Sequence, residues 1–249
     1  MPSWRECRGG VDHVTGSKGH GASSRTRLSR AAERGFRAMT DNSSEGFFGE
    51  PVKGRIGVLI EEHFDQTEFK KFNEFFPKHG YQVVYMTQLW GNSSLYFRAN
   101  PDDGVVDSSV TVTTDVDTVD VGDYRGFLLI GAYAMDRLRY QLNPRKGEPN
   151  MAPAVCFLRK IMAAPGLKLG TICHSLWLLC ADRSLLAGRR VTCAHNIICD
   201  VENAGGDVIF DGDQTADLVI DGDLITGKHP GVTDKFMKAY IAEIEKTHA

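Results

Sequence analysis

Residues 55–86 read RIGVLIEEHFDQTEFKKFNEFFPKHGYQVVYM and contain a strand, a helix and a second strand. Residues 55–61 form a short apolar, β-branched run, which is typical of a strand buried on both faces. Asp65 can cap a helix whose phenylalanines recur at helical spacing, and Gly80 follows the end of that helix. This order predicts a βαβ unit with two parallel strands and a right-handed crossover.

The same alternation continues toward the C-terminus. We predict strands at 126–130, 167–172, 190–193, 207–210, 217–220 and 224–226, and helices at 152–162, 175–181 and 232–244. Residues 90–121 hold turn signals between Thr- and Val-rich pieces, which predict an antiparallel excursion. Together these elements predict one α/β domain over residues 54–249, a three-layer α/β/α sandwich around a mostly parallel sheet.

Composition restricts the partners and the compartment. The chain has 249 residues and a net charge of −3, with no basic surplus after residue 40, so nucleic acid is not an expected partner. No apolar run approaches the roughly 18 residues of a membrane span. Residues 1–53 begin Arg-rich and acid-poor, and we predict a disordered basic tail and linker there rather than a targeting segment. The 6 cysteines form no Cys-x-x-Cys pair, which favours a reducing cytoplasm.

Cys173 is the candidate nucleophile. It lies in the sequence LGTICHSLW, residues 169–177, at the junction of an apolar strand and a predicted helix, which is nucleophile-elbow geometry. Backbone N–H groups of the first helical turn can lower the thiol pKa and stabilise an oxyanion, so a reactive thiolate is expected. The alternative is a buried packing cysteine. We predict that packing role for the remaining cysteines of the domain, Cys156, Cys180, Cys193 and Cys199.

Five stretches carry a family resemblance through their order and spacing: 56–68, 131–139, 170–180, 186–192 with 202–205, and 221–227. Together they resemble the ThiJ/PfpI superfamily, which has protease and deglycase branches. The resemblance covers about residues 54–247. It implies a flavodoxin-like fold of the class I glutamine amidotransferase type, with Cys173 as nucleophile and His174 as its base. It also implies a homo-oligomer, a dimer or a hexamer, and chemistry that needs no metal or other cofactor.

The resemblance assigns further roles by position. Asp65 aligns with an acid beside the thiol, although an aspartate there also suits a helix N-cap. Asp136 aligns with an acid that a second subunit supplies to orient the histidine; the alternative is a surface ion pair. Gly131 and His174 are the expected backbone oxyanion donors. His195 is a second-tier candidate, because it falls one residue out of register with a histidine of the deglycase branch.

Three functions remain open from the residues. The first is a cofactor-independent cysteine enzyme acting on small carbonyls or glycation adducts, similar to glyoxalase III or a deglycase. The second is a peptidase or amidohydrolase that uses Cys173, His174 and a neighbouring subunit's copy of Asp136. The third is a redox-sensing or chaperone stress protein in which Cys173 becomes a sulfinate. The expected partners are therefore a small carbonyl or a peptide substrate and a second copy of the chain, without nucleic acid or membrane.

Overall fold

The computed structural model describes residues 53–248, without the side chains of residues 103 and 248. The basic tail predicted for residues 1–53 lies outside the described residues, except for Lys53, whose backbone N–H donates to Gly80 O at 2.8 Å. Within the described part, no helix is both long enough and apolar enough to cross a bilayer.

Strands and helices alternate along the described chain. The strands are β1 (Gly54–Leu59), β2 (Tyr81–Thr87), β3 (Leu95–Arg98), β4 (Ser109–Val112), β5 (Thr114–Asp115), β6 (Gly126–Leu129), β7 (Lys168–Ile172), β8 (Arg190–Val191), β9 (Asp207–Val208), β10 (Phe210–Asp211), β11 (Gln214–Thr215), β12 (Leu218–Asp221) and β13 (Leu224–Gly227). The α-helices are α1 (Gln66–Lys78), α2 (Ala134–Leu138), α3 (Pro153–Ala163), α4 (Arg183–Leu186), α5 (Ile198–Asn203) and α6 (Thr233–His248). Short 3₁₀ helices lie at Pro101–Asp103, Val121–Asp123, Ser175–Ala181, His195–Ile197 and Pro230–Val232.

The central sheet has seven strands in the order β12-β13-β7-β6-β1-β2-β5. All neighbouring pairs in it are parallel except β12 with β13, and β1 pairs with both β2 and β6. The parallel βαβ unit at 55–86 is therefore confirmed. Because the carboxyl ends of parallel strands share one edge, the loops after β1, β6 and β7 meet there.

Helices cover both faces of this sheet. The ring of Phe127 packs edge-on against Phe157 of α3, with 5.4 Å between ring centroids. The next strand residue points to the opposite face, where Leu128 and Phe236 of α6 both pack over Gly170. The Tyr240 hydroxyl of α6 donates to Phe127 O at 2.9 Å and ties that helix to β6. This confirms the predicted three-layer sandwich.

Some of the predicted strands and helices are confirmed, and others differ in length, pairing or type. The antiparallel excursion is confirmed as the β3–β4 hairpin, although β5 joins the main sheet in parallel. The strands predicted at 190–193 and 207–210 are shorter and pair with each other in a separate sheet. The helix predicted at 175–181 is confirmed with the same bounds, and it is of the 3₁₀ type. Ser175 Oγ accepts from Ile172 N–H and donates to Ile172 O, so its side chain holds the backbone in a tight turn.

Candidate active site

The turn after β7 holds Cys173 in a strained conformation. Its φ is +59°, in the left-handed region, which costs a non-glycine residue roughly 1–2 kcal/mol. Cys173 N–H donates to Gly227 O at 3.0 Å, and Cys173 O accepts from Ala194 N–H at 3.2 Å. The neighbouring chain therefore fixes the backbone from both sides. This places the cysteine at the carboxyl edge of the sheet, where the elbow pattern predicts it.

The Cys173 sulfur faces polar groups although the residue is only 7% exposed. Its Sγ lies 3.4 Å from Nδ1 of His174. The backbone N–H groups of Ala132 and His174 are also directed at the sulfur and favour its negative charge. Two N–H donors and an imidazole therefore converge on the atom that would react.

The pKa of the Cys173 thiol is nevertheless raised. Burial is the largest cause, and the negative charge of Glu68, then that of Asp65, adds to it. The N–H groups of Ala132 and His174 oppose this effect without outweighing it. The expectation of a resting thiolate is therefore wrong, because desolvation and the nearby acids outweigh the two N–H donors. The resting group is a thiol.

Glu68 is the acid next to the cysteine. Its side chain is fully buried, and Oε2 accepts a hydrogen bond of 2.6 Å from Gly131 N–H. A Cβ built at Gly131 would lie 2.7 Å from Glu68 Oε1 and 2.9 Å from the Cβ of Cys173. The missing side chain of Gly131 thus allows the carboxyl group and the cysteine to approach each other across the ends of β6 and β7.

Two predicted roles at this edge need correction. Asp65 is the N-cap of α1, because its Oδ1 accepts from Glu68 N–H at 2.8 Å, and Glu68 takes the predicted place beside the thiol. Gly131 is not a free oxyanion donor, because its N–H is already bonded to Glu68. Ala132 lies at φ +60°, and it is the N–H of Ala132 that points at the sulfur. The predicted donor at His174 is present.

His174 is linked to a residue of its own chain. Its Nε2 lies 2.9 Å from Oδ1 of Asn196. The pKa of His174 is lowered, mainly by burial and partly by the charge of His195, while the hydrogen bond to Asn196 opposes the shift. The imidazole is therefore neutral at pH 7. His195 itself is exposed on the 3₁₀ helix His195–Ile197, and a positive charge on it would disfavour an imidazolium at His174.

Asp136 is exposed on α2, where it borders a groove of about 550 Å³. Glu61, Trp90 and Arg137 line the same groove, which opens beside the carboxyl ends of β1 and β2. Nε2 of His174 is bonded to Asn196 of the same chain, and the role of Asp136 toward a second subunit stays a prediction. Within residues 53–248, no group of three or more His, Cys, Asp or Glu side chains is arranged to hold a metal.

Comparison with known proteins identifies the family. The DJ-1/PfpI family model matches residues 54–243, which is most of the chain. The chain belongs to the DJ-1/PfpI family. Protein/nucleic acid deglycase 2 of Escherichia coli is 29% identical over 177 residues, which are 71% of this chain and 89% of that protein. An uncharacterized protein of Staphylococcus aureus is 22% identical over 191 residues, 77% of this chain and 98% of the relative.

Solved structures show the same fold. The crystal structure of Drosophila melanogaster DJ-1beta has a TM-score of 0.58 at 16% identity, over 78% of this chain and 95% of that one. A two-domain protein of Anabaena variabilis, with DJ-1/ThiJ/PfpI-like and ferritin-like domains, has a TM-score of 0.64 at 23% identity. The match covers 78% of this chain but only 48% of the two-domain protein, so the chain spans about half of that structure.

Two groups at the site of this DJ-1/PfpI protein are absent from the sequence-based predictions. Glu68 stands three residues after Asp65, a spacing that fits a capping box. In a capping box the glutamate turns back to the N-cap, whereas Glu68 bonds to Gly131 instead. Asn196 carries no local signal, because its contact with His174 depends on how the chain returns to the elbow after β8.

Proposed function

We propose that the chain is a cofactor-independent cysteine enzyme that adds the Cys173 thiol to the carbonyl carbon of a small aldehyde or a glycation adduct. The supporting observation is that the sulfur lies between an uncharged imidazole, His174, and a buried carboxyl group, Glu68, with two backbone N–H groups directed at it. The similarity to an Escherichia coli protein named as a deglycase supports the same substrate class.

In the first step, the thiol loses its proton to Nδ1 of His174 as the sulfur attacks. One S–C bond forms, and the π electrons of the carbonyl move to its oxygen. The N–H groups of Ala132 and His174, which favour negative charge on the sulfur, would stabilise the resulting oxyanion. The imidazolium then returns the proton to that oxygen, which gives a hemithioacetal and restores neutral His174. No oxidant or reductant is consumed.

When the substrate is an α-oxoaldehyde such as methylglyoxal, the hemithioacetal undergoes a second step. The carboxylate of Glu68 removes the C–H proton of the hemithioacetal carbon, and an enediolate forms with its negative charge on the former ketone oxygen. The hydroxyl proton of that carbon passes to the neighbouring oxygen, and Glu68 returns its proton to the adjacent carbon, which yields a thioester of the hydroxy acid and restores the carboxylate. Water then hydrolyses the thioester, releasing lactate and the Cys173 thiol. The overall reaction adds one water to methylglyoxal, so the balance needs a base and an acid but no cofactor.

Lactate formation from methylglyoxal tests the proposal directly. Cys173→Ser should lower kcat/KM at least about 10³-fold, and Glu68→Gln about 10²- to 10⁴-fold, since an amide cannot move the proton. Cys199→Ser is the matched control, because Cys199 lies outside the elbow and is exposed, contrary to its predicted packing role. Equal lactate formation by the wild type and Cys173→Ser would contradict the proposal.

The same variants separate the competing functions. A peptidase would cleave a fluorogenic peptide in a Cys173-dependent way, and cleavage would fall on dilution and in Asp136→Asn. Asp136 is exposed, so a second subunit could use it. A redox sensor would gain oxygen at Cys173 in mild peroxide before its other cysteines do, as detected by peptide mass spectrometry. Either result without aldehyde turnover would replace the proposed reaction.

A further inference from the structure

The far side of the His174 ring fixes which nitrogen carries the proton. Nε2 faces Oδ1 of Asn196 at 2.9 Å, and Nδ1 faces Sγ of Cys173 at 3.4 Å. An amide oxygen can only accept a hydrogen bond, so Nε2 must be the protonated nitrogen. Nδ1 then presents its lone pair to the thiol, which is the tautomer that a base for Cys173 requires.

The ring is also held in its plane. Tyr133 stacks on His174 with 5.8 Å between centroids and 15° between planes, and Trp177 lies 6.3 Å away on a tilted plane. The 3₁₀ helix that carries Asn196 follows Ala194, whose N–H donates to Cys173 O. The amide and the elbow are therefore parts of one connected backbone arrangement.

Asn196 adds no charge to these surroundings. Toward the elbow, the nearby acids are Glu68 and Asp65, which act on the sulfur. A positive charge on His195 would disfavour an imidazolium at His174. Asp200 accepts a hydrogen bond of 2.9 Å from Nε1 of Trp177, whose ring lies near that of His174. A carboxylate at position 196 would stabilise an imidazolium, but a neutral amide gives it much weaker support.

We infer that Asn196 is a positioning residue: it holds His174 in the Nε2–H tautomer and keeps the Cys173–His174 pair uncharged until a substrate arrives. The inference rests on the proposed function for its role in turnover, but its effect on the thiol is independent of any substrate. It also means that the histidine is oriented within one subunit.

Alkylation of Cys173 by iodoacetamide, followed from pH 5 to 10 by mass spectrometry of the Cys173 peptide, tests the inference. In Asn196→Asp, the added carboxylate favours an imidazolium–thiolate pair, so the alkylation rate at pH 7 should rise about tenfold. Asn203→Asp is the matched control, because it places the same new charge on an exposed residue at the end of α5 and should behave as the wild type. Equal profiles for the two variants would overturn the inference.

A second measurement reports on the tautomer itself. The ¹⁵N chemical shifts of the His174 ring should show protonation at Nε2 in the wild type and a mixture of tautomers in Asn196→Ala. In the same variant, kcat for aldehyde should fall about 3- to 10-fold with KM unchanged. Protonation at Nδ1 in the wild type would refute the assignment. Wild-type protein without aldehyde turnover, but with the expected alkylation and NMR results, would refute only the proposed function.

Discussion

Substitution of Gly131 by alanine tests the geometry of the site. The new Cβ would lie 2.7 Å from Oε1 and 3.0 Å from Oε2 of Glu68, and 2.9 Å from the Cβ of Cys173, whereas ordinary contacts begin at 3.4 Å. Glu68 has to move, and its hydrogen bond from Gly131 N–H is then weakened or lost. Overpacking of this kind costs about 1–3 kcal/mol, and a bond to a charged group contributes about 1.5–3 kcal/mol. Because one displacement causes both effects, we expect about 2–4 kcal/mol in total.

Urea denaturation measures the stability loss, and aldehyde turnover measures the functional loss. A carboxyl group displaced by about 1 Å should lower kcat roughly 10²-fold. Gly122→Ala is the control, because Gly122 is exposed and its new Cβ would meet only Asp120 Oδ1 at 3.3 Å; its stability should change by less than about 0.5 kcal/mol. If Gly131→Ala has the same free energy of unfolding as Gly122→Ala and retains full turnover, the close approach of Glu68 and Cys173 is wrong.

A double-mutant cycle separates the clash from a general loss of packing. Glu68→Ala removes both oxygen contacts of the new methyl group and leaves the contact with Cys173. Gly131→Ala should therefore cost less in the Glu68→Ala background than in the wild type, with a coupling energy of about 1–2 kcal/mol. Strict additivity of the two changes would show that Gly131 and Glu68 do not share this space.

Three further predictions concern stability and pH. Asp182→Asn should lower the unfolding free energy by about 3 kcal/mol in urea denaturation, because it leaves the Arg159 guanidinium, 2.7 Å away and 14% exposed, without its counter-ion. Burial alone would raise the pKa of Asp182, but hydrogen bonds, chiefly from Arg159, hold it below 3.8. This stabilisation is therefore present above about pH 3.8 and is lost as the pH falls through the folded-state pKa. The same loss of stability with falling pH in Asp182→Asn as in the wild type would contradict this. Tyr240→Phe should cost about 1–3 kcal/mol in thermal or urea unfolding, because the buried hydrogen bond from the hydroxyl to the Phe127 carbonyl is lost; no loss would show that the bond contributes nothing. Burial lowers the pKa of His174, so the acid limb of the kcat/KM profile, which reports loss of the neutral base, should lie below pH 6.5, and a limb above that value would exclude this role.

The fold could be predicted from local patterns because the buried strands of the main sheet are continuous apolar runs. β1, β6 and β7 show this pattern, and nothing outside each run is needed to recognise it. The helix at 175–181 could also be predicted with its bounds, but its type could not. Its apolar spacing fits an α-helix, but the Ser175 side chain bonds to the backbone of Ile172 and tightens the turn. A hydroxyl two residues beyond the elbow therefore decides the helix type.

The site was predictable only where one element forms it. Cys173 is recognisable because strand, nucleophile and turn are consecutive in the sequence. The acid is not, because Glu68 reaches the sulfur only when α1, β6 and β7 are assembled and Gly131 leaves space between them. Asp65 is the better local candidate on alignment, yet its carboxylate is used at the helix N-terminus. Contacts between residues of different elements can be identified only when the packed sheet is known.

The raised pKa of Cys173 changes how the site must work rather than whether it can react. A thiol with a high pKa gives a more nucleophilic sulfur once deprotonated, but only a small fraction is thiolate at neutral pH. The reaction then depends on a base in contact with the sulfur, and His174 Nδ1 is 3.4 Å away. Oxidation by dissolved peroxide requires a thiolate that exists before the encounter. A carbonyl bound beside the thiol does not, because proton transfer and attack can proceed together. The proposed carbonyl addition therefore needs no preformed thiolate at Cys173, whereas redox sensing does.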